Sequence, residues 1–436
     1  VIKFVWSFFL SVMMFGSAQA QTTIVVSQPK EKFAISIPNP CAISISGSAS
    51  SAIANTLSRD LDLSGLFTVR NPASYIADRD VCLSGFVEDY QDWRLNKSDW
   101  LVRGAVTRLS NGDIGIRLYL HDVTTGKKVL GKEYRGNSKD IVKLSHRFAN
   151  AVIEFITGEQ GPFGSKIAFV SRVGRFKELF VMDVDGSNVR QLTREKGLTL
   201  SPAWNPKGNF IVYTSYQRRA PDLFVLPFPI GGARPVTNSR GLEIGGRFSP
   251  DGNVVIASVS GTGKGSDLAI FDRSGRVRQL IGQGNGSIDL SPSFSPDGRE
   301  VVFCSDRSGS PQIYRAALVG GEARRISFVN SPYCTSPDWS PKGDKIAFVC
   351  RVNGKFQLFV SRADGSNSTQ ITDIGNNEDP SWSPDGHYLA FSSTFDQRSG
   401  FDIAILRLAD KFQSSKITQL TFTPADDTDP AWGPAL

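Results

Sequence analysis

A short phrase recurs six times in this chain, and its spacing limits what the chain can fold into. It reads S-P-A-W-N-P-K-G at 201–208, G-G-R-F-S-P-D-G at 245–252, S-P-S-F-S-P-D-G at 291–298, S-P-D-W-S-P-K-G at 336–343 and D-P-S-W-S-P-D-G at 379–386. A shortened last copy, D-P-A-W-G-P, occupies 429–434. The anchoring aromatics Trp204, Phe248, Phe294, Trp339, Trp382 and Trp432 stand roughly 45 residues apart, the period of a four-stranded propeller blade. In the phrase Pro presets φ, Asp or Lys follows, and Gly takes the left-handed conformation that closes a turn. Apolar runs such as Ile211–Thr214, Val254–Ala257 and Ile346–Val349 come directly after. The phrase therefore ends one strand and starts the next as a tight hairpin. Each unit is a small meander that must stack on copies of itself to bury both faces.

The ends of the array decide its geometry. The run Lys166–Ser171 has no phrase before it, and the phrase at Asp429–Pro434 has no strands after it. Together they complete one unit, so the expected architecture is a six-bladed β-propeller over 166–436, closed by its C-terminal segment. Closure removes the exposed edge that a linear β-solenoid would keep.

Upstream, Lys3, the apolar run Phe4–Phe15 and Ala18-Gln19-Ala20 have the form of a signal peptide, residues 1–20, cleaved after Ala20. The run is shorter than the ~20 residues a membrane span needs. Residues 21–33, with Ile24, Val25, Val26 and Phe33, read as a mobile N-terminal arm. Residues 34–158 read as an α+β domain. Its expected helices are Ala52–Leu66, with Ile53, Leu57 and Leu61 on one face, and Ser138–Thr157 behind a Ser cap. Its expected strands are Phe33–Ile37, Val81–Val87, Trp100–Leu109, Ile114–Asp122 and Lys128–Tyr134, with an Asn-Gly hairpin at Ser110–Asp113. Residues 159–165 read as a linker.

The five cysteines are Cys41, Cys82, Cys304, Cys334 and Cys350, an odd number. If Ser340 and Asp344 flank the Pro-Lys-Gly loop, Cys334 falls opposite Cys350, at a hydrogen-bonded pair where side chains stand further apart. A disulfide there and buried inert thiols are both open.

Catalytic signatures are missing. Three separated histidines, His121, His146 and His387, form no H-E-x-x-H pair, and there is no C-x-x-C and no G-x-S-x-G elbow. Gly261–Ser266 and Gly282–Gly286 fail the phosphate-loop patterns and read as loops. Acids recur at the phrase: Glu243, Asp289, Asp338, Asp379, Asp427 and Asp429. As a ring at one mouth of the channel they can hold a cation or receive a basic peptide; singly, an Asp before Pro simply caps a turn. The formal net charge is +7, with basic residues scattered and no basic stripe, which excludes a nucleic-acid reader. No catalytic residue, cofactor or metal ligand is assigned.

The signal peptide, the I-V-V arm, the helix at Ala52–Phe67, G-P-F-G-S-K-I-A-F-V-S at 161–171, the six phrases and the closing P-A-W-G-P together resemble the TolB family of the Tol–Pal envelope system, over essentially the whole length. The resemblance implies a periplasmic, monomeric binding protein, peripheral to membranes, that links the inner-membrane Tol complex to the outer membrane. It serves envelope integrity and constriction during cell division. The propeller mouth would bind the lipoprotein Pal, with colicins and other outer-membrane proteins as further partners, and the arm would contact TolA. By position the mouth comprises Thr199, Leu242, Glu243, Asp289, Leu290, Ser291, Ser336, Asp379 and Asp429, and the arm contact comprises Ile24, Val25, Val26 and Phe33. Leu242 stands where the family pattern has a histidine, and Ser291 where it has an acid. Two other readings stay open: a propeller hydrolase or lyase on envelope glycan or peptide, with carboxylates such as Glu243 and Asp289 as acid and base, and an outer-membrane assembly scaffold.

Overall fold

The computed structural model describes residues 32–76, 90–218, 220–238, 241–260, 265–281, 286–395, 400–408 and 417–435. The signal peptide, Ile24, Val25 and Val26 of the arm, the strand expected at Val81–Val87, Cys82 and most of the loops at 261–266 and 282–286 lie outside them.

The N-terminal domain is a mixed sheet covered by two helices. β1 (Phe33–Ser36) pairs in parallel with β3 (Phe67–Val69) and with β4 (Trp100–Arg108). The short β2 (Cys41–Ile43) also runs parallel to β4, which continues antiparallel into β5 (Ile114–Asp122) and β6 (Lys127–Gly136). α1 spans Gly47–Leu63 and starts five residues before the expected Ala52, because the small residues of its first turn carry no apolar periodicity. A short helix α2 (Tyr90–Leu95) has no counterpart among the expected elements. α3 (Ile141–Thr157) is entered through a 3-10 turn that Asn137, not Ser138, caps: its side chain accepts from the Lys139 N–H, and Asp140 accepts from the Asn137 N–H. Gly158, at φ 79°, closes α3. Ile53, Leu57 and Leu61 of α1 and Phe148 and Val152 of α3 are buried over the sheet.

Phe33 opens β1 instead of ending a mobile arm. Its N–H donates to the Leu66 carbonyl, and its ring meets Phe67 and Trp100 at 6.3 Å each. Residues 159–165 are packed rather than free. Phe163 and Ser165 are buried, and the Asn150 amide bonds both backbone groups of Phe163.

The propeller has six four-stranded antiparallel blades. The first joins Lys166–Val173, Phe176–Asp183 and Arg190–Gln191 to the C-terminal strand Asp427–Trp432, which closes the ring. The phrase behaves as a strand end and turn. In blade three the Ser249 hydroxyl donates to Asp251 and accepts from the Val254 N–H, and Gly252 sits at φ 71°.

Each innermost strand has six residues: Thr199–Trp204, Glu243–Phe248, Asp289–Phe294, Cys334–Trp339, Asn377–Trp382 and Asp427–Trp432. All six carry a bulge between their second and fifth residues. The third residue of every strand is left-handed: Ser201, Gly245, Ser291, Ser336, Asp379 and Asp429 have φ between 47° and 68°. An L residue there costs on the order of 1 kcal/mol, so five non-glycine copies mean the geometry is imposed by the ring.

The bulge also settles the cysteines. Ser340 faces Lys345, not Asp344, so the hairpin loop is one residue longer than expected; the bulge between Thr335 and Asp338 takes that residue back. Cys334 does face Cys350, and the two form a disulfide. Because the Arg351 N–H donates to the Tyr333 carbonyl, the hydrogen-bonded pair is the neighbouring one. The cysteines occupy the closer, non-hydrogen-bonded site, with Cα atoms 4.1 Å apart. Cys41 is disulfide-bonded as well, and Cys304 is a buried free thiol.

Neighbouring blades are stapled through the fifth residue of the innermost strand. Ser293 accepts from the Trp339 N–H, Asp338 from the Trp382 N–H at 2.9 Å, and Ser381 from the Trp432 N–H. Asp338 also accepts from the Ser293 hydroxyl at 3.0 Å. Removing it leaves two buried donors without an acceptor, so Asp338→Ala is expected to cost about 2–4 kcal/mol in urea unfolding, and Asp338→Asn, which keeps an acceptor oxygen, less. An Asp338→Ala protein as stable as wild type would refute the staple.

Candidate functional site

The innermost strands stack their residues in layers along the channel axis, and each layer has its own chemistry. Just before the first strand residue stand Leu198, Leu242, Ile288 and Tyr333 in blades two to five, 43%, 49%, 46% and 38% exposed. They ring the mouth at the strand starts. The N-terminal domain sits at the other end, where its residues meet the phrase turns. There Lys342 donates to Glu159, the Tyr388 hydroxyl donates to the Ser64 carbonyl, and Arg59 pairs with Asp185 at 3.1 Å. The described residues of the domain therefore leave the apolar mouth open.

The first strand layer, Thr199, Glu243, Asp289, Cys334, Asn377 and Asp427, is buried. Its charges serve the blades: Asp289 holds Arg307 through two contacts, the shorter 2.8 Å. The third layer forms the throat. Ser201, Gly245, Ser291, Ser336, Asp379 and Asp429 close around about 60 Å³, with Arg247 beside them. Below it the fifth and sixth layers open into a funnel of about 280 Å³ on the turn side.

The throat is acidic on one side. Asp379 accepts from the Ser336 hydroxyl at 3.1 Å, and Asp429 accepts from the Ser201 N–H at 3.1 Å. Burial, then the neighbouring carboxylates Asp429 and Glu378, push the Asp379 carboxyl well above the usual range. Glu378 is raised by burial and by Asp429. On the far side Asp338 is raised by burial, against the hydrogen bonds it accepts.

A family model described as the TolB beta propeller domain matches residues 153–436, and one described as the TolB amino-terminal domain matches residues 22–129. The chain belongs to the TolB family. The Tol-Pal system protein TolB of Bordetella pertussis is 29% identical over 388 residues, covering 88% of this chain and 84% of that relative. The Protein TolB homolog of Chlorobium chlorochromatii is 35% identical over 255 residues, 58% of this chain and 57% of its own length. The solved structure of TolB from Acinetobacter baumannii matches with a TM-score of 0.77 at 23% identity, covering 94% of this chain and 98% of that one, which bears on the fold.

In this TolB-family chain the expected acidic ring is not one ring. Glu243, Asp289 and Asp427 lie in the buried first layer, Asp379 and Asp429 in the throat, and Asp338 beyond it. The acids stand at the first, third and fifth positions of their strands, and so at different heights along the channel axis. Of the residues assigned to the mouth, Leu242 is on the rim. Leu290 is half-buried in the second layer, and Ser291, Ser336, Asp379 and Asp429 line the throat, while Thr199, Glu243 and Asp289 face inward. The rim residues Leu198 and Tyr333, and Arg247, are not among those the sequence pointed to; an apolar residue directly before four of the six innermost strands was the available signal.

A carboxyl whose folded pKa lies above its unfolded value stabilises the fold fully below the unfolded value and loses that contribution as pH rises through the folded one. Asp379→Asn keeps an acceptor for Ser336 and removes the ionisation. It is expected to melt above wild type at pH 8, with the gap closing toward pH 4. A gap that widens on acidification would contradict the assignment.

Proposed function

We propose that this chain is the periplasmic propeller component of a Tol–Pal system and that it acts by binding, not catalysis. In this reading the outer-membrane lipoprotein Pal docks on the mouth ringed by Leu198, Leu242, Ile288 and Tyr333, with the throat acids Glu378, Asp379 and Asp429 receiving polar or basic groups. The N-terminal arm ahead of β1, 21–32, contacts TolA and so links the inner-membrane complex to the outer membrane. The observation that carries the proposal is the set of four apolar side chains exposed together around the mouth that the N-terminal domain leaves open. One such residue alone would need no explanation, but the position before the innermost strand is apolar and exposed on four successive blades at one end of the channel. Family membership and the names of the relatives support the same reading. No helix among the described residues is long and apolar enough to cross a membrane.

The throat supports binding over the hydrolase reading. The throat, about 60 Å³, is far smaller than the usual ligand site of roughly 300–1,000 Å³, and the carboxylates named for acid and base, Glu243 and Asp289, are buried. Ligand binding at the mouth can shift the arm only if the ligand favours one arm state, and by no more than that difference in affinity. Removing residues 21–32 would then change Pal affinity as well as abolish TolA binding.

Glu243 and Asp289 are poor test positions, because their loss would unsettle the blades. Leu242→Ser and Tyr333→Ala change exposed side chains. Together they are expected to weaken binding of the soluble Pal domain by at least about tenfold in calorimetric titration, that is by about 1.4 kcal/mol, with the melting temperature unchanged. Full affinity in that variant would move the site.

A further inference from the structure

On the face that carries the phrase turns, the wedge between blades two and three stays open as a cleft of about 600 Å³. Its floor is apolar, made by half-buried Phe210, Val225 and Phe248, and its rim carries the exposed cations Lys207, Arg234 and Arg273. The volume falls within the usual range for ligand sites, roughly 300–1,000 Å³.

The repeat shows how the equivalent place in another wedge is filled. Strand register makes Phe210 and Val225 of blade two equivalent to Glu300 and Arg315 of blade four. Phe248 is likewise equivalent to Trp339. In the wedge between blades four and five, Arg315 pairs with Glu300, donates to the Ala363 carbonyl at 3.0 Å and stacks 5.1 Å over the Trp339 ring. That ion pair and indole fill the space. Between blades two and three, Phe210, Val225 and Phe248 stand in their places and line the cleft.

The charge around the cleft is one-sided. Its acid, Asp272, is engaged by Arg278 at 2.7 Å and by the hydroxyl and N–H of Ser274. Arg273 donates to the neutral Asn253 side chain, and among the described residues no carboxylate pairs with Lys207 or Arg234. Among the described residues, the contacts made next to the N-terminal domain with phrase turns, through Glu159, fall on Lys342 and His387, on blades five and six, away from this wedge.

We infer that this cleft is a docking site for an acidic peptide segment of a protein partner. An apolar side chain of the segment inserts against Phe210, Val225 and Phe248, while its carboxylates meet Lys207, Arg234 and Arg273. The site is separate from the mouth and independent of the Pal reading. Charge complementarity of this kind sets partner choice and association rate and weakens with salt.

The test uses the full mature chain and a fluorescein-labelled peptide in which glutamates flank leucine and phenylalanine, read by anisotropy at low and high salt. Two variants accompany it. Lys207→Glu with Arg234→Glu reverses exposed charges. Phe210→Glu with Val225→Arg and Phe248→Trp rebuilds the filling seen between blades four and five. The proposal expects saturable binding that weakens with salt and falls by at least about tenfold in each variant, with Leu242→Ser binding as wild type. Absence of saturable binding, equal binding of a peptide with lysines for the glutamates, or unchanged affinity in the charge-reversed variant overturns it. So does binding of inorganic phosphate or anionic phospholipid vesicles in place of the peptide. The charge-reversed variant alters only exposed residues, so it decides the matter even if the triple variant fails to fold.

Discussion

The pairing of Asp427–Trp432 with Lys166–Val173 is the contact on which the rest of this molecule depends. It joins the two ends of a stack that would otherwise be an open array with unpaired edges. Once the ring is closed, each blade must present its innermost strand to the same axis at the same height. The same left-handed bulge recurs in all six innermost strands, at a non-glycine residue in five of them, a strain that the surrounding ring holds in place. The bulges in turn give the channel its apolar rim, its buried first layer, its narrow throat and its funnel.

Closure also binds the N-terminal domain to the propeller. A single hydrophobic cluster runs from Ile53, Leu57 and Phe148 through Phe163 to Met182, Tyr388, Ile405 and Trp432. Trp432, at the end of the closing strand, donates through its indole N–H to Ser165 and lies against Tyr388. Beside this cluster His146 and Asp60 meet at 2.7 Å, both buried. Burial raises the Asp60 carboxyl to about 6, against the pull of His146. Burial opposes charge on His146, but its bond to Asp60 prevails and raises its pKa. This packed boundary is where the N-terminal domain and the propeller meet.

The ring was legible because a repeat states its geometry six times, and the leftovers at Lys166–Ser171 and Asp429–Pro434 fitted together in one way. The strands of the N-terminal domain were legible from alternation at Ile114–Asp122. The bulge was not, because S-P and D-P read equally well as turns or caps, and nothing local says that the residue before the proline is left-handed. The acids fall in three layers because they stand at the first, third and fifth positions of their strands, and Glu243, Asp289 and Asp338 are taken up by burial and by bonds between and within blades. The facing of Cys334 and Cys350 follows from the sequence only because two one-residue shifts, in the loop and at the bulge, cancel. The rim at Leu198 and Tyr333 was hidden because an apolar residue before a strand looks like part of the core until the strand's end is known to face solvent.

The central claim is that the mouth at the strand starts, opposite the N-terminal domain, is the surface through which this propeller works. Amide hydrogen exchange of the mature chain, with and without the soluble Pal domain, tests it most directly. The account predicts slowed exchange in the segments that carry Leu198, Leu242, Ile288 and Tyr333, with the phrase turns unchanged. Protection confined to the turn face or the N-terminal domain, with the rim segments unaffected, would contradict it.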